Sequence, residues 1–142
     1  MLRLRSRRRT ERIFSSALVF TGMIFYKENG ISISGVRYAH LPYGPVPENF
    51  DILLGTMAAD HIAHIEVFYD NGYEKHQVIP EEEMPEGVLS DDELEVLERI
   101  YNKFANFGSV DISNYSHKEK GYAETKKGEI ISYSYARDIE LN

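Results

Sequence analysis

Residues 38–54 read YAHLPYGPVPENFDILL and join two segments of different pattern. Before the prolines, ISISGVRYAHL (31–41) is rich in β-branched and aromatic residues, which predicts a strand with a bend at Gly35. After them, residues 48–61 predict a helix whose apolar positions recur at spacings of three and four. These positions are Phe50, Leu53, Leu54 and Met57.

The segment between them, PYGPVP (42–47), predicts a stiff elbow. Pro45 and Pro47 fix their own φ and move the residue before each of them out of the helical region. Pro47 also suits the first turn of the following helix. Proline and glycine are turn residues first, so a purely structural role explains the elbow. The alternative is that its stiffness holds Tyr38 and Tyr43 in place for a partner at little entropic cost.

Two later stretches carry strong local signals. Residues 62–80 contain two strand-like runs around Asn71-Gly72, the favoured pair for a two-residue type I′ hairpin turn. Residues 90–108 predict a helix that opens with a capping box of Ser90 and Glu93 and closes at Gly108.

Residues 109–128 predict a more polar helix or a pair of turns, broken near Gly121. The last run, 130–141, is strand-like and continues as a short helical tail. The expected fold is α+β: a compact, mainly helical domain of four to five helices, with a small antiparallel sheet that includes the hairpin. At 142 residues the chain fits one domain, expected over residues 13–142.

The N-terminal residues 1–12 hold six arginines and one glutamate, and are expected to form a disordered basic arm. The run IFSSALVFTGMIF (13–25) has three interpretations: the apolar part of a secretory signal, a membrane span, or a helix that enters a soluble core. Thirteen residues are short for a span, and no A-x-A-like site follows. A core helix ending at Gly30 is therefore favoured, with Phe14, Leu18, Ile24 and Phe25 buried.

Composition and motifs favour binding over catalysis. The chain has no cysteine, so no disulfide or thiolate metal site is possible. No glycine-rich phosphate loop, nucleophile elbow or H-E-x-x-H pattern occurs. His61 and His64 are spaced for one helix face, but the helix is expected to end between them and no third metal ligand is indicated. We expect no enzymatic activity, no metal and no cofactor.

One polar cluster, SHKEKGYAET (116–125), has two interpretations. On one helix, Ser116, Glu119 and Tyr122 share a face with His117 beside them. Either Ser and Thr cap local turns while Tyr122 packs on the sheet, or the cluster fixes a partner-binding surface.

Three stretches in order resemble the Panacea antitoxin-domain family, also described as SocA-like or phage-associated GepA-like. They are Tyr38 with the GPVP elbow (44–47), the S-x-x-E helix start at Ser90, and SH-x-E-x-x-W-x-x-T at 116–125, where Tyr122 stands in place of the tryptophan. The resemblance covers residues 24–137. The preceding residues do not match the KL-x-KLLYLADF helix of the family.

The resemblance implies a cytoplasmic bacterial or prophage protein that neutralises a neighbour-encoded toxin by direct binding. One relative delivers its toxin to the Clp protease, so Clp is an expected second partner. No membrane partner is expected, and a homodimer is compatible with the sequence. The expected binding or site-shaping residues are Tyr38, Tyr43, Gly44, Pro45, Pro47, Asn49, Ser116, His117, Glu119, Tyr122 and Thr125.

The sign of the charge agrees with this expectation. Outside residues 1–12 the chain has ten basic and 22 acidic side chains, so it favours a basic partner and repels nucleic acid. The alternative function is a regulatory or phage-associated protein that binds nucleic acid through the arginine arm. A helix pair followed by a hairpin is similar to a winged helix, but helix 48–61 has no lysine or arginine with which to contact DNA.

Overall fold

The computed structural model describes residues 9–82 and 87–141 of the chain. Within them lie five α-helices, a 3₁₀ helix and two small antiparallel sheets, which confirms the α+β class. The elements are β1 (Arg9–Thr10), α1 (Glu11–Asn29), β2 (Tyr38–Leu41), β3 (Gly44–Pro47), α2 (Phe50–Ala59), β4 (Ala63–Asp70), β5 (Tyr73–Pro80), α3 (Asp91–Phe104), α4 (Ser109–His117), α5 (Lys120–Ala123), β6 (Ile130–Ile131) and a 3₁₀ helix (Tyr133–Asp138). Residues 1–8 of the expected arm, and hence its nucleic-acid contacts, lie outside the described residues.

Residues 13–25 form a helix in the core, as predicted, and this helix, α1, contributes many of the buried residues. Ten of its 19 residues are buried, including Phe20 and Met23, and it contacts α3, α4, β3 and the 3₁₀ helix. Ile24 and Phe25 are buried as expected, whereas other predicted core positions, such as Phe14, are only partly covered. No helix in the described residues is both long enough and apolar enough to span a bilayer.

One antiparallel sheet has the strand order β1-β5-β4. Its main part is the predicted hairpin, in which Asp70 pairs with Tyr73 across Asn71-Gly72. Both turn residues have positive φ, 51° and 81°, as a type I′ turn requires. The hairpin prediction is therefore confirmed.

A second antiparallel sheet, ordered β3-β2-β6, contains the elbow. The expected strand 31–41 is formed only from Tyr38, and the elbow is itself a tight hairpin that pairs Tyr38 with Pro47. The prediction that Pro47 enters the next helix was therefore wrong. Prolines fit here because β3 is an edge strand of this sheet, where a missing N–H breaks no ladder bond.

The C-terminal half follows the predicted order with shifted boundaries. The capping box is confirmed: Glu93 N donates to Ser90 Oγ and Ser90 N donates to Glu93 Oε1. Helix α3 ends at Phe104, and Gly108 instead precedes α4 as its N-cap. The next break between helices falls after His117, where α4 ends. Gly121, where the break was expected, is instead a buried residue inside α5. The final strand and helical tail are confirmed as β6 and the 3₁₀ helix.

Helix α2 is the main departure from the expected packing. Of its predicted core stripe only Phe50 is buried, and Leu53 is 39% exposed. Helix α2 packs chiefly against β4 and stays outside the buried core cluster. An apolar pattern alone does not decide which side of a helix the core covers.

Candidate partner-binding site

The elbow hairpin (38–47) and residues 113–125 lie against each other, and we call the second segment the latch. The Tyr122 hydroxyl donates to the Leu41 carbonyl at 2.5 Å, and the Ser113 hydroxyl donates to the Tyr43 carbonyl at 2.9 Å. Both bonds fix carbonyls at the hairpin turn. The two stretches that the sequence singled out separately therefore form one structure.

Gly44 is required where the elbow meets the latch. Its φ of 136° disfavours other residues, and a Cβ at this position would lie 2.7 Å from the Ser116 hydroxyl oxygen. Ser116 is fully buried and donates to the Ser113 carbonyl. Pro45 and Pro47 are buried beside it. These residues shape the site and leave no room for adjustment at the contact.

Stacked rings of Tyr122 and two histidines form a second set of contacts in the latch. The rings of His40 and Tyr122 stack at 3.7 Å between centroids, and those of His117 and Tyr122 at 4.5 Å. The interplanar angles are 14° and 6°, so Tyr122 lies between two imidazoles. The Thr125 Oγ1 atom lies 2.9 Å from His40 Nδ1. The Thr125 hydroxyl donates to the Gly121 carbonyl.

Glu119 sits between α4 and α5, where it precedes α5 as its N-cap residue. The predicted single helix face for Ser116, Glu119 and Tyr122 is therefore wrong, because α4 ends at His117. Burial raises the pKa of Glu119 to about 7, and Asp138 adds to this rise while Lys27 opposes it. The carboxyl group is thus a titratable group within the latch.

Tyr38 does not reach the surface. It is buried against α1, and its hydroxyl oxygen occupies the space where a Cβ at Gly22 would lie. Burial is the main cause of a raised pKa of Tyr38, and the neighbouring Tyr133 raises this pKa further. The expectation that Tyr38 is held ready for direct contact with a partner was wrong, because its side chain is buried.

Tyr43, in contrast, is held open to solvent. Its side chain is 61% exposed, and the Arg12 guanidinium lies over its ring at 3.7 Å from the centroid. The ring borders a groove of about 1060 Å³ that lies between the elbow, the start of α1, the start of α2 and β5. Asn49 lines the same groove in a left-handed conformation, with φ of 61°, just before α2.

The groove is apolar with a mixed charged rim. Pro42, Val46 and Phe50 contribute apolar surface. Two of its carboxylates, Glu11 and Glu74, contact His76 at 3.3 and 3.0 Å. An apolar surface with a few fixed polar groups can bind another protein, and the rigid elbow keeps its shape.

The histidine pair considered for a metal is not brought together on a helix. Helix α2 ends at Ala59, and His61 follows with φ of 57°. His64 lies on β4 and contacts Glu66 and Glu81. No group of three metal-ligating side chains occurs among residues 9–82 and 87–141.

Sequence reasoning missed three contributors to the site, Arg12, His40 and Ser113. Arg12 was assigned to the arm, and His40 and Ser113 have no local signal of their own. Each acts on a residue at least 31 positions away, as in the pairs His40–Thr125 and Ser113–Tyr43. The proline elbow and the polar cluster 116–125 were the signals that pointed to this region.

These features define a small α+β domain with an exposed aromatic residue at the edge of a groove. The family model for the antitoxin SocA-like, Panacea domain matches residues 18–122, which is most of the chain. The chain therefore belongs to this family, and an antitoxin role with a toxin as partner follows in general terms. The match begins before residue 24 and ends before Thr125. Comparisons with curated proteins and with solved structures found no match.

Proposed function

We propose that this protein neutralises a cognate protein toxin by binding it directly, without turnover, and that the groove beside Tyr43 is the contact surface. The observation that carries the proposal is that Tyr43 is exposed while its backbone is fixed by the latch. The toxin is encoded next to this protein and both act in the cytoplasm, as the family resemblance implies. The acidic excess of this chain favours a basic toxin.

Preorganisation supports this choice of surface. Tyrosine supplies a large contact area for few rotatable bonds, and it is enriched among the residues that dominate binding energy. Ser113 and Tyr122 hold the hairpin turn on both sides, so little freedom remains to be lost on binding. The acidic excess outside residues 1–12 speeds the encounter with a basic protein.

The test is growth rescue by co-expression with the neighbouring toxic gene, together with a binding measurement on the purified pair. We expect the natural chain to restore growth and to form a stoichiometric complex. Tyr43→Ala should weaken the complex by about tenfold or more, which is ~1.4 kcal/mol. The latch should persist in this variant, because it bonds to the Tyr43 carbonyl and not to the ring.

Tyr69→Ala is the matched control. Tyr69 is 73% exposed on β4 and does not line the groove. Equal losses for Tyr43→Ala and Tyr69→Ala would reject the groove as the contact surface. Failure of the natural chain both to bind the toxin and to rescue growth would reject the proposed function itself.

A further inference from the structure

Helix α2 has an exposed face that lacks the charged residues expected on a solvent-facing surface. Its sequence FDILLGTMAA contains one charged side chain, Asp51, near its start. A helix that is apolar all round is normally buried, yet Phe50 is the buried residue of α2. Part of this helix is therefore covered by nothing among the described residues.

The uncovered face follows the spacing of a helix–helix contact. Ile52, Gly55, Thr56 and Ala59 occur at i, i+3, i+4 and i+7, on the side opposite Phe50. All four are exposed, Ile52 to 68%. A Cβ added at Gly55 would meet nothing within 4 Å. The Thr56 hydroxyl donates to the Ile52 carbonyl, so it is satisfied within the helix.

The charge of the segment that contains this face is mainly negative. Residues 48–82, from just before α2 to just after β5, contain eight acidic side chains and a single lysine. Asp51 and Asp60 stand near the two ends of α2. An apolar strip inside an acidic border complements an apolar strip inside a basic border.

We propose that the exposed face of α2 docks a cationic amphipathic helix of the partner protein. The assignment of that helix to a toxin rests on the function proposed above, whereas the surface and its chemistry do not. Since Ile52 also lines the groove beside Tyr43, one partner can contact both surfaces. A second copy of this chain is disfavoured as the occupant, because it would place two acidic borders together.

The test uses the full chain and labelled helical peptides, so it does not depend on the identity of the toxin. A leucine–lysine peptide patterned as an amphipathic helix is the probe, and a leucine–glutamate peptide with the same leucine positions is its counterpart. We expect fluorescence anisotropy to detect binding of the lysine peptide that weakens with added salt, and no binding of the glutamate peptide.

Two variants locate the binding. Gly55→Arg places a long cation at the centre of the face, in open space, and should weaken binding by about tenfold or more. Ile52→Gln removes apolar contact without a charge change and should also weaken it. Asn102→Arg, on an exposed position of α3, adds the same charge elsewhere and should leave binding within about twofold of that of the natural chain.

Equal effects of Gly55→Arg and Asn102→Arg would overturn the proposal, because binding would then reflect overall charge alone. Absence of lysine-peptide binding would also overturn it. The proposal would also be overturned if sedimentation showed that the natural chain is a dimer and that Gly55→Arg dissociates it. The face would then hold a second copy of the chain. If the peptide binds at α2 but toxin rescue fails, the docking surface stands and the proposed function does not.

Discussion

The Glu119 carboxyl group is half-buried in the latch, and this burial raises its pKa to about 7. Its ordinary value is 4.5, so the folded protein holds this proton up to a higher pH than the unfolded chain does. Between these two values the folded state binds more protons. Its stability therefore falls as the pH rises from about 4.5 to about 7 and is level above that range.

Glu119→Gln should remove this pH dependence. The variant should match the natural protein at pH 5 and exceed its free energy of unfolding by ~1–2 kcal/mol at pH 8, a figure reduced for partial solvent exposure. Urea unfolding followed by circular dichroism at both pH values measures this difference. Glu98→Gln, at an exposed position of α3, is the control and should change stability equally at both. A stability gap for Glu119→Gln that does not depend on pH would contradict the assignment.

At the scale of the elements, α1 and β2 approach each other closely at Gly22. The Tyr38 ring lies so near to Gly22 that an added Cβ would be 1.8 Å from its hydroxyl oxygen and 3.0 Å from Cζ. The absence of a side chain at Gly22 is what lets the strand approach the helix.

A double-mutant cycle tests this contact. Gly22→Ala should destabilise the protein by ~1–2 kcal/mol, because overpacking outweighs the gain in helix propensity. In the background of Tyr38→Phe, where the clashing oxygen is absent, the same change should cost at least ~1 kcal/mol less. Chemical denaturation of the four proteins measures the coupling.

Gly55→Ala provides the matched control within another helix. Its Cβ meets no neighbour, so we expect it to stabilise the protein by ~0.5–1 kcal/mol through helix propensity alone. Strictly additive effects at Gly22 and Tyr38 would mean that the two residues do not meet in solution.

The elements also show what the sequence could predict and what it could not. The Asn71-Gly72 hairpin and the Ser90 capping box were predicted correctly, because each depends on residues within a few positions of one another. The elbow was predicted as a bend, but it is a hairpin. Its first strand also pairs with a distant part of the chain, because Tyr38 lies opposite Ile131. Both parts of the candidate site were singled out, but their contact was not, because no local pattern encodes pairs such as His40–Thr125.

At the scale of the whole molecule, burial is distributed unevenly. Helix α1 contributes ten buried residues and α2 contributes one. The elements from α2 to β5 carry many exposed apolar side chains, including Val67, Phe68 and Tyr73. Segments with few buried contacts open locally at a lower free energy than the core does.

Hydrogen exchange read out by mass spectrometry should therefore separate these regions. Amides of α2 should exchange at least about tenfold faster than those in the buried middle of α1, which corresponds to ~1.4 kcal/mol in opening free energy. Adding a bound partner should slow exchange in α2 and leave the buried middle of α1 unchanged. Equal protection of α1 and α2 in the free protein would show that the structure opens as one unit.

The latch determines when the elbow becomes fixed while the chain is being synthesised. Its bonds to the elbow join residues that are 70 to 85 positions apart, as in Ser113–Tyr43 and Thr125–His40. A chain grows from its N-terminus, so the elbow is made early but remains unsecured until the latch has left the ribosome. An interrupted chain that lacks Tyr122 would display the groove residues without holding them in place. Only a chain that extends past Thr125 can fix the elbow, so shorter products would not compete for the partner.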